Sequence, residues 1–320
     1  MTDREYLAME ISTTVRSLKE PPWLPLVRAG HRVFSTLVPE AAAARAERLF
    51  LTPPRPRRPA WEIDLLARAE ARPMRVGPRR IETWTWGTGP SVLLVHGWGG
   101  RGTQLGAFVA PLVARGFSVV TFDAPGHGAS DDGVVTIPEM TAAIHAAAAS
   151  RGPLAGLVAH SAGALTATAA LSEGLDVDAA VFVAPPAELV GAAARFTETL
   201  GFSRPVRERM RERIATRLGR PWSAFDVIAQ AASLTAPLLV VHDHGDLEVP
   251  WQQGMAITRA WRGAEMLMTD GLGHRRILRD PDVVATAVAF VAARTAEHAV
   301  AERVASAALE ATPLEALLAG

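Results

Sequence analysis

From Ile81 onward, short apolar runs alternate with longer stretches whose hydrophobic residues recur at helical spacing, and this alternation restricts the folds open to the chain. Runs at 81–86, 91–96, 117–123, 154–160, 179–183, 237–242 and 264–269 read as strands. Helical stretches are expected at about 102–115, 137–150, 162–172, 252–262 and 281–294. Several of the strand runs are apolar without interruption, so they need cover on both faces. A mainly parallel, doubly wound sheet with helices on either side supplies that cover, and the expected class is α/β.

Two regions fall outside this alternation. The gap between Val183 and Pro237 is too long for an ordinary connection. Within it Val206, Met210, Ile214 and Leu218 recur every fourth position with Arg and Glu between them, as in an amphipathic helix. Residues of about 185–232 therefore read as an inserted helical cap on a domain spanning 73–320. Residues 1–72 form an N-terminal extension. Leu7, Ile11, Val15 and Leu18 suggest one amphipathic helix, and 23–37 suggests a second. The run Pro53-Pro54-Arg55-Pro56-Arg57-Arg58-Pro59 predicts an irregular, extended link, because proline lacks an N–H and restricts its predecessor. These helices are expected to pack on the rest of the chain or on a sister subunit, which would give a homo-oligomer. They lack the dense basic face of a membrane-surface helix. The Ala/Glu-rich tail at about 295–320 is expected to be helical.

Composition narrows the function classes. The 33 basic and 33 acidic residues balance, so no excess charge favours nucleic acid. There is no cysteine, which excludes disulfides, thiolate metal sites and a cysteine nucleophile. Asp3, Arg4, Glu5, Glu10 and Arg16 interrupt the first twenty residues, so no signal-peptide core is read there. No later stretch reads as a membrane span. A cytoplasmic location is the expectation.

The candidate chemistry sits at strand ends. Ser161 lies in Ala159-His160-Ser161-Ala162-Gly163, between an expected strand and a small-residue helical stretch. That strand–sharp turn–helix context holds a serine hydroxyl exposed as a nucleophile. The usual pattern is G-x-S-x-G, and Ala159 stands in place of the first glycine. Upstream, the strand at 91–96 runs into His96-Gly97-Trp98-Gly99-Gly100. Downstream, 237–242 leads into His242-Asp243-His244-Gly245-Asp246-Leu247-Glu248-Val249-Pro250, and 264–269 into Asp270-Gly271-Leu272-Gly273-His274. Serine, acid and histidine thus each follow an expected strand, in that order. Asp243 and Asp246 both qualify as the acid, while Glu248 reads as a loop carboxylate. His242 and His244 beside two aspartates carry metal donors, but an acid loop explains them more simply. No metal or cofactor is expected.

From about Ile81 to Val291 these motifs resemble the α/β-hydrolase fold superfamily, with a cap between that family's sixth and seventh core strands. Asp123-Ala124-Pro125-Gly126-His127-Gly128-Ala129-Ser130 resembles the superfamily's structural turn after strand four. The resemblance implies Ser161 as nucleophile and His274 as base. It favours Asp246 as the acid, because Asp246 lies four residues before Pro250, as in the family's D-x-x-V-P ending. It also implies the backbone amides of Trp98 and Ala162 as oxyanion donors. A serine at 161 argues against the dehalogenases and epoxide hydrolases of this fold, which use aspartate. The expected activity is hydrolysis of a small-molecule carboxylic ester with a small to medium apolar acyl group. A thioesterase, lactonase, amidase, peptidase, carbon–carbon hydrolase or acyltransferase would use the same positions. A non-catalytic binding module usually loses one of them, and all are present. His96 and His160 are expected to support the oxyanion loop and the elbow, and His127 to shape a turn. Trp98, Trp222, Phe225 and Trp251 either line an acyl pocket or simply pack.

Overall fold

Eight strands form a single sheet in the order β1-β4-β6-β5-β7-β8-β9-β10 in a computed structural model that describes residues 21–310. The strands are β1 (Glu70–Ala71), β4 (Thr83–Trp86), β5 (Ser91–Val95), β6 (Ser118–Phe122), β7 (Leu154–His160), β8 (Ala180–Val183), β9 (Leu238–Asp243) and β10 (Glu265–Thr269). A separate hairpin pairs β2 (Met74–Val76) with β3 (Arg79–Ile81). From β6 through β10 every neighbouring pair is parallel, while β4 runs antiparallel to β6 and β1 antiparallel to β4. The expected strand at 81–86 breaks at Glu82. Its backbone is claimed by the turn after β6 instead of a ladder: Glu82 N donates to Ser130 Oγ, and Glu82 O accepts from Asp123 N.

Twelve α-helices complete the described chain: α1 (Leu24–Leu37), α2 (Pro39–Phe50), α3 (Ala60–Leu66), α4 (Val109–Ala114), α5 (Ile137–Ala149), α6 (Ala162–Ser172), α7 (Val190–Leu200), α8 (Arg204–Leu218), α9 (Val227–Ala231), α10 (Trp251–Ala260), α11 (Gly273–Arg276) and α12 (Pro281–Glu310). The first half of the helix expected at 102–115 is a tighter 3₁₀ segment, Gly102–Phe108. Strands β5 to β9 are buried at every position, as uninterrupted apolar runs require. On one face Met140, Ile144, Leu165 and Trp261 pack against them; on the other Phe108, Leu112, Val284 and Val288 do so. Helix α12 continues to Glu310 without a break. Contrary to the sequence reading, its Pro281–Ala301 portion is long and apolar enough to cross a membrane by length and composition, with mean hydropathy 1.3. Its Val283, Ala287 and Val291 are buried against the sheet. The helix expected around Leu7 to Leu18 and the tail beyond Glu310 lie outside the described residues.

A third apolar cluster forms away from the sheet. Ala42, Ala43 and Ala46 of α2 present a flat, fully buried face to Val206, Met210 and Ile214 of α8. Small side chains let two helices approach closely and fill the gap without voids. The N-terminal helices therefore pack on the cap. Glu47 of α2 is buried and accepts from Arg213 Nε (2.7 Å) and Arg217 Nε (2.8 Å) of α8. From α1, Arg28 Nε donates to Thr199 O (2.9 Å) and His31 Nδ1 to Leu200 O (2.8 Å) at the end of α7. The proline-rich link 53–59 has no regular structure before α3, and its arginines pin it down. Arg55 Nη2 donates to Gly128 O (2.6 Å) and Ser130 O (2.8 Å), and Arg58 pairs with Asp123.

Candidate active site

The loops that carry the candidate residues leave the carboxyl ends of parallel strands β5, β7, β9 and β10, the edge where open α/β sheets build their sites. Ser161 follows β7 and caps α6 with φ 52° and ψ −128°, and among described non-glycine residues only Ala184 shares its positive φ. Such strain persists where the surroundings over-determine it. Ser161 N donates to Val183 O (2.9 Å), and the turn is so tight that neighbouring positions must lack a side chain. A Cβ on Gly163 would lie 2.6 Å from His96 O, and one on Gly97 would lie 2.8 Å from Ser161 Cβ. Ala159 is fully buried in the core, and its methyl group packs there, so the first position of the elbow does not demand glycine.

Ser161 Oγ–H donates to His274 Nε2 at 3.0 Å, and His274 Nδ1–H donates to Asp246 Oδ2 at 2.7 Å. The carboxylate behind Nδ1 fixes the proton there and leaves Nε2 free to accept. Asp246 Oδ1 accepts from the amides of Glu248 (2.8 Å) and Val249 (2.9 Å), and buried His242 lies 3.4 Å from Oδ2. Burial alone would raise the Asp246 carboxyl. Hydrogen bonds from His242, His274 and the Val249 amide outweigh it and hold the group well below the ordinary carboxylate range.

The competing acid is committed elsewhere. Asp243, the last residue of β9, accepts from Gly245 N, Leu272 N and Thr269 Oγ1, which ties the acid loop to the loop carrying His274. Glu248 pairs with Arg275, with its nearer oxygen 4.0 Å from His274 Nε2. His244 turns outward to Asp270. Among the described residues no group of three or more His, Asp or Glu side chains is disposed to hold a metal.

Three buried histidines brace the loops. His96 Nδ1 donates to Gly97 O (2.8 Å), and its Nε2 accepts from Ala124 N (2.9 Å), joining the Gly97–Gly100 loop to the turn after β6. His127 Nδ1 donates to Pro125 O within that turn. His160 Nε2 donates to His274 O at 2.9 Å, so the residue before Ser161 grips the backbone of His274. Burial lowers His96 to about 4, with Arg58 and Arg101 adding to the effect. It lowers His127 and His160 to about 3, helped by His96 and His274 respectively. All three are neutral at ordinary pH. Ala162 directly follows Ser161, and Trp98 follows Gly97, the residue packed against Ser161. Among the described residues neither the Trp98 nor the Ala162 N–H is taken up by a protein acceptor.

A cavity of about 610 Å³ opens over Ser161 and His274, lined by Trp98, Trp222 and Phe225. Trp251 does not line it. At the start of α10 its ring stands edge-on to His244 at 5.1 Å, on the outer side of the acid loop. Sequence reasoning missed several cavity residues. Leu49, Phe50, Leu51 and Pro54 come from the N-terminal extension, and Phe196 and Arg195 from the cap. It also missed Glu62 of α3, fully buried, which accepts from Arg101 Nε (2.5 Å) and Nη2 (2.6 Å) just after the glycine loop. No local signal marks these residues, because their partners are distant in sequence.

The sequence model of the alpha/beta hydrolase family matches residues 92–287. No curated protein matches the chain. Among solved structures, Est1E from Butyrivibrio proteoclasticus, captured with ferulic acid, is 19% identical with a TM-score of 0.57, covering 71% of this chain and 98% of its own. The thioesterase domain from the curacin biosynthetic pathway is 19% identical with a TM-score of 0.53, covering 70% and 98%. A membrane phospholipase A, a bacterial virulence factor, is 16% identical with a TM-score of 0.56. It covers 92% of this chain and 99% of its own. At these identities the likeness is one of fold.

Proposed function

The chain belongs to the alpha/beta hydrolase family, and from that premise we propose that it is a serine hydrolase that cleaves a carboxylic ester through an acyl-enzyme on Ser161. The observation that carries this reading is the hydrogen-bonded line from Ser161 Oγ through His274 to Asp246, at 3.0 and 2.7 Å. Ser161 Oγ attacks the ester carbonyl carbon while His274 Nε2 takes its proton. Asp246 stabilises the resulting imidazolium without itself being protonated. The amides of Trp98 and Ala162 donate to the carbonyl oxygen as it becomes an oxyanion. His274 then returns the proton to the departing alkoxide, leaving the acyl group on Oγ. Water, deprotonated by the same nitrogen, attacks the acyl carbon and releases the acid and the free serine.

The structural relatives named above include a thioesterase and a phospholipase, so the bond cleaved is the point to test. A fluorophosphonate should add once to the wild type and not to Ser161→Ala, read by intact mass. A panel of matched ester, thioester and lactone substrates should then show esters turning over fastest. A protein that hydrolyses only thioesters would retain the serine mechanism and lose the ester assignment.

A further inference from the structure

The cavity over Ser161 is larger and more apolar than a small acyl group needs. At ~30 Å³ per methylene-sized unit, 610 Å³ leaves room for on the order of a dozen or more chain carbons besides the reacting group. A short acyl group would leave the remainder as water against Leu, Phe and Trp, which the hydrophobic effect disfavours.

The walls that make it deep come from two places that are far apart in sequence. Phe50, the last residue of α2, meets Phe196 of α7 edge-on at 5.1 Å and stacks near Trp222 at 5.9 Å. All three line the same cavity as Ser161, joined there by Ile214 and Leu218 of α8. This aromatic group offers a ligand no hydrogen bond, because the Trp222 Nε1–H is already given to Arg211 O at 3.0 Å. Of the charged residues on the cavity wall, Arg101 is held by Glu62, Arg275 by Glu248, and Arg279 lies over the Trp61 ring. Arg195 is half buried, and among the described residues no hydrogen bond or ion pair holds it; burial weighs on its charged form most, with the charges of Glu188, Asp246 and Glu198 opposing that. Three of these four arginines are thus engaged by the protein, and the wall that Phe50, Phe196, Trp222, Ile214 and Leu218 build is hydrocarbon.

We propose that this chamber binds the hydrocarbon chain of a medium-to-long fatty acyl ester, and that Phe50 at the end of α2 sets the chain length it accepts. The inference rests on the ester-hydrolase reading for its chemistry, but its geometry can be tested without turnover. Helix α2 is then a specificity element: without it, the cap would lack the face against which the chain ends.

The test is calorimetric titration of the full-length protein with saturated fatty acids from six to eighteen carbons, kept below their critical micelle concentrations. Affinity should rise about fourfold per added methylene while the chain is still entering apolar surroundings, then level off. Phe50→Ala should move the levelling point to longer chains by about two to four carbons, and Phe50→Trp should move it to shorter ones. Phe50→Leu serves in place of Phe50→Ala if circular dichroism shows that variant misfolded. Absence of binding at every chain length, or one levelling point shared by wild type and variants, would overturn the proposal. Turnover of p-nitrophenyl esters from two to sixteen carbons separates the two readings. Binding that shifts with Phe50 but no ester hydrolysis would sink the ester assignment and keep the chamber. Ester hydrolysis with a chain-length preference indifferent to Phe50 would do the reverse.

Discussion

The two sides of the cavity are held together by different forces. On the sheet side, Ser161, Asp246 and His274 sit on loops fixed by parallel ladders, and backbone carbonyls and amides receive the buried side chains of His96, His160 and Asp243. On the opposite side, α2 and the cap meet through a flat alanine face and through ion pairs whose arginines are half exposed. The first arrangement fixes the loops that carry Ser161, Asp246 and His274, which the proposed chemistry needs, since small misplacements of reacting atoms are costly. The second is close-packed at its alanines but open to water at its ion pairs, so its charges can be altered with less effect on the sheet. The difference teaches where chemistry and selectivity can be altered independently.

Substitutions on the sheet side should break catalysis outright. Ser161→Ala should lower ester kcat/KM by on the order of 10⁶-fold, and Asp246→Asn by roughly 10⁴-fold through the wrong histidine tautomer. Both variants should keep the wild-type circular dichroism spectrum. Equal activity in Asp246→Asn and wild type would show that another carboxylate supports His274. The nearest other carboxylate, Glu248, lies 4.0 Å from Nε2 and pairs with Arg275, so it would have to move to reach Nδ1.

Acid should also act on this side first. The folded-state values of His96, His127 and His160 lie below the histidine range, at about 4 and about 3. The unfolded chain therefore takes up these protons first as pH falls through about 6.5. Stability is full above that point and declines until the folded values are reached, by several kcal/mol in order of magnitude. Asp246 adds its own loss only below about 3.8, where the unfolded carboxyl protonates. Urea denaturation at pH 7.5, 6, 5 and 4 should show the midpoint falling across that window. A constant midpoint would mean that these rings find solvent without unfolding.

A smaller loss is expected at Gly97. An added methyl would lie 2.8 Å from Ser161 Cβ and 3.0 Å from His160 O, so the loop must retreat and carry the Trp98 amide with it. Gly97→Ala should reduce kcat by about 10²–10³-fold, the value of one oxyanion donor, with little change in KM. Retained kcat with a raised KM would place the loop in substrate binding instead.

What the sequence revealed follows the same division. Ser161 and His274 were legible because each belongs to a local pattern at the end of an apolar strand, and the order of the patterns constrains the fold. The choice between Asp243 and Asp246 needed family resemblance. Both stand on one loop, and only the fold shows Asp243 spent on Leu272 N and Thr269 Oγ1. The sequence leaves Trp251 open between pocket and packing, because aromatic character says nothing of direction. Helix α2 was not expected, because its alanines give no large apolar periodicity, and the same alanines let it lie flat on α8. Phe50 could not be read at all. Its partners Phe196 and Trp222 are brought to it by closure of the extension over the cap.

That closure supplies the mildest way to separate the two sides. Glu47 is buried and bridges Arg213 and Arg217, but those arginines are 43% and 52% exposed, so water screens much of the attraction. Glu47→Gln keeps the side-chain shape and one acceptor while removing the charge, and each arginine can turn to solvent. The expected loss is about 1 kcal/mol of local stability, confined to the junction of α2 and α8. Hydrogen exchange should quicken several-fold in those two helices and stay constant in β5 to β9. If α2 bounds the acyl chain, KM for a twelve-carbon ester should rise, kcat should be unchanged, and the two-carbon ester should be unaffected. Equal weakening for both esters would mean that the junction supports the catalytic loops as well, through Glu62 of the same extension and its partner Arg101 beside the glycine loop.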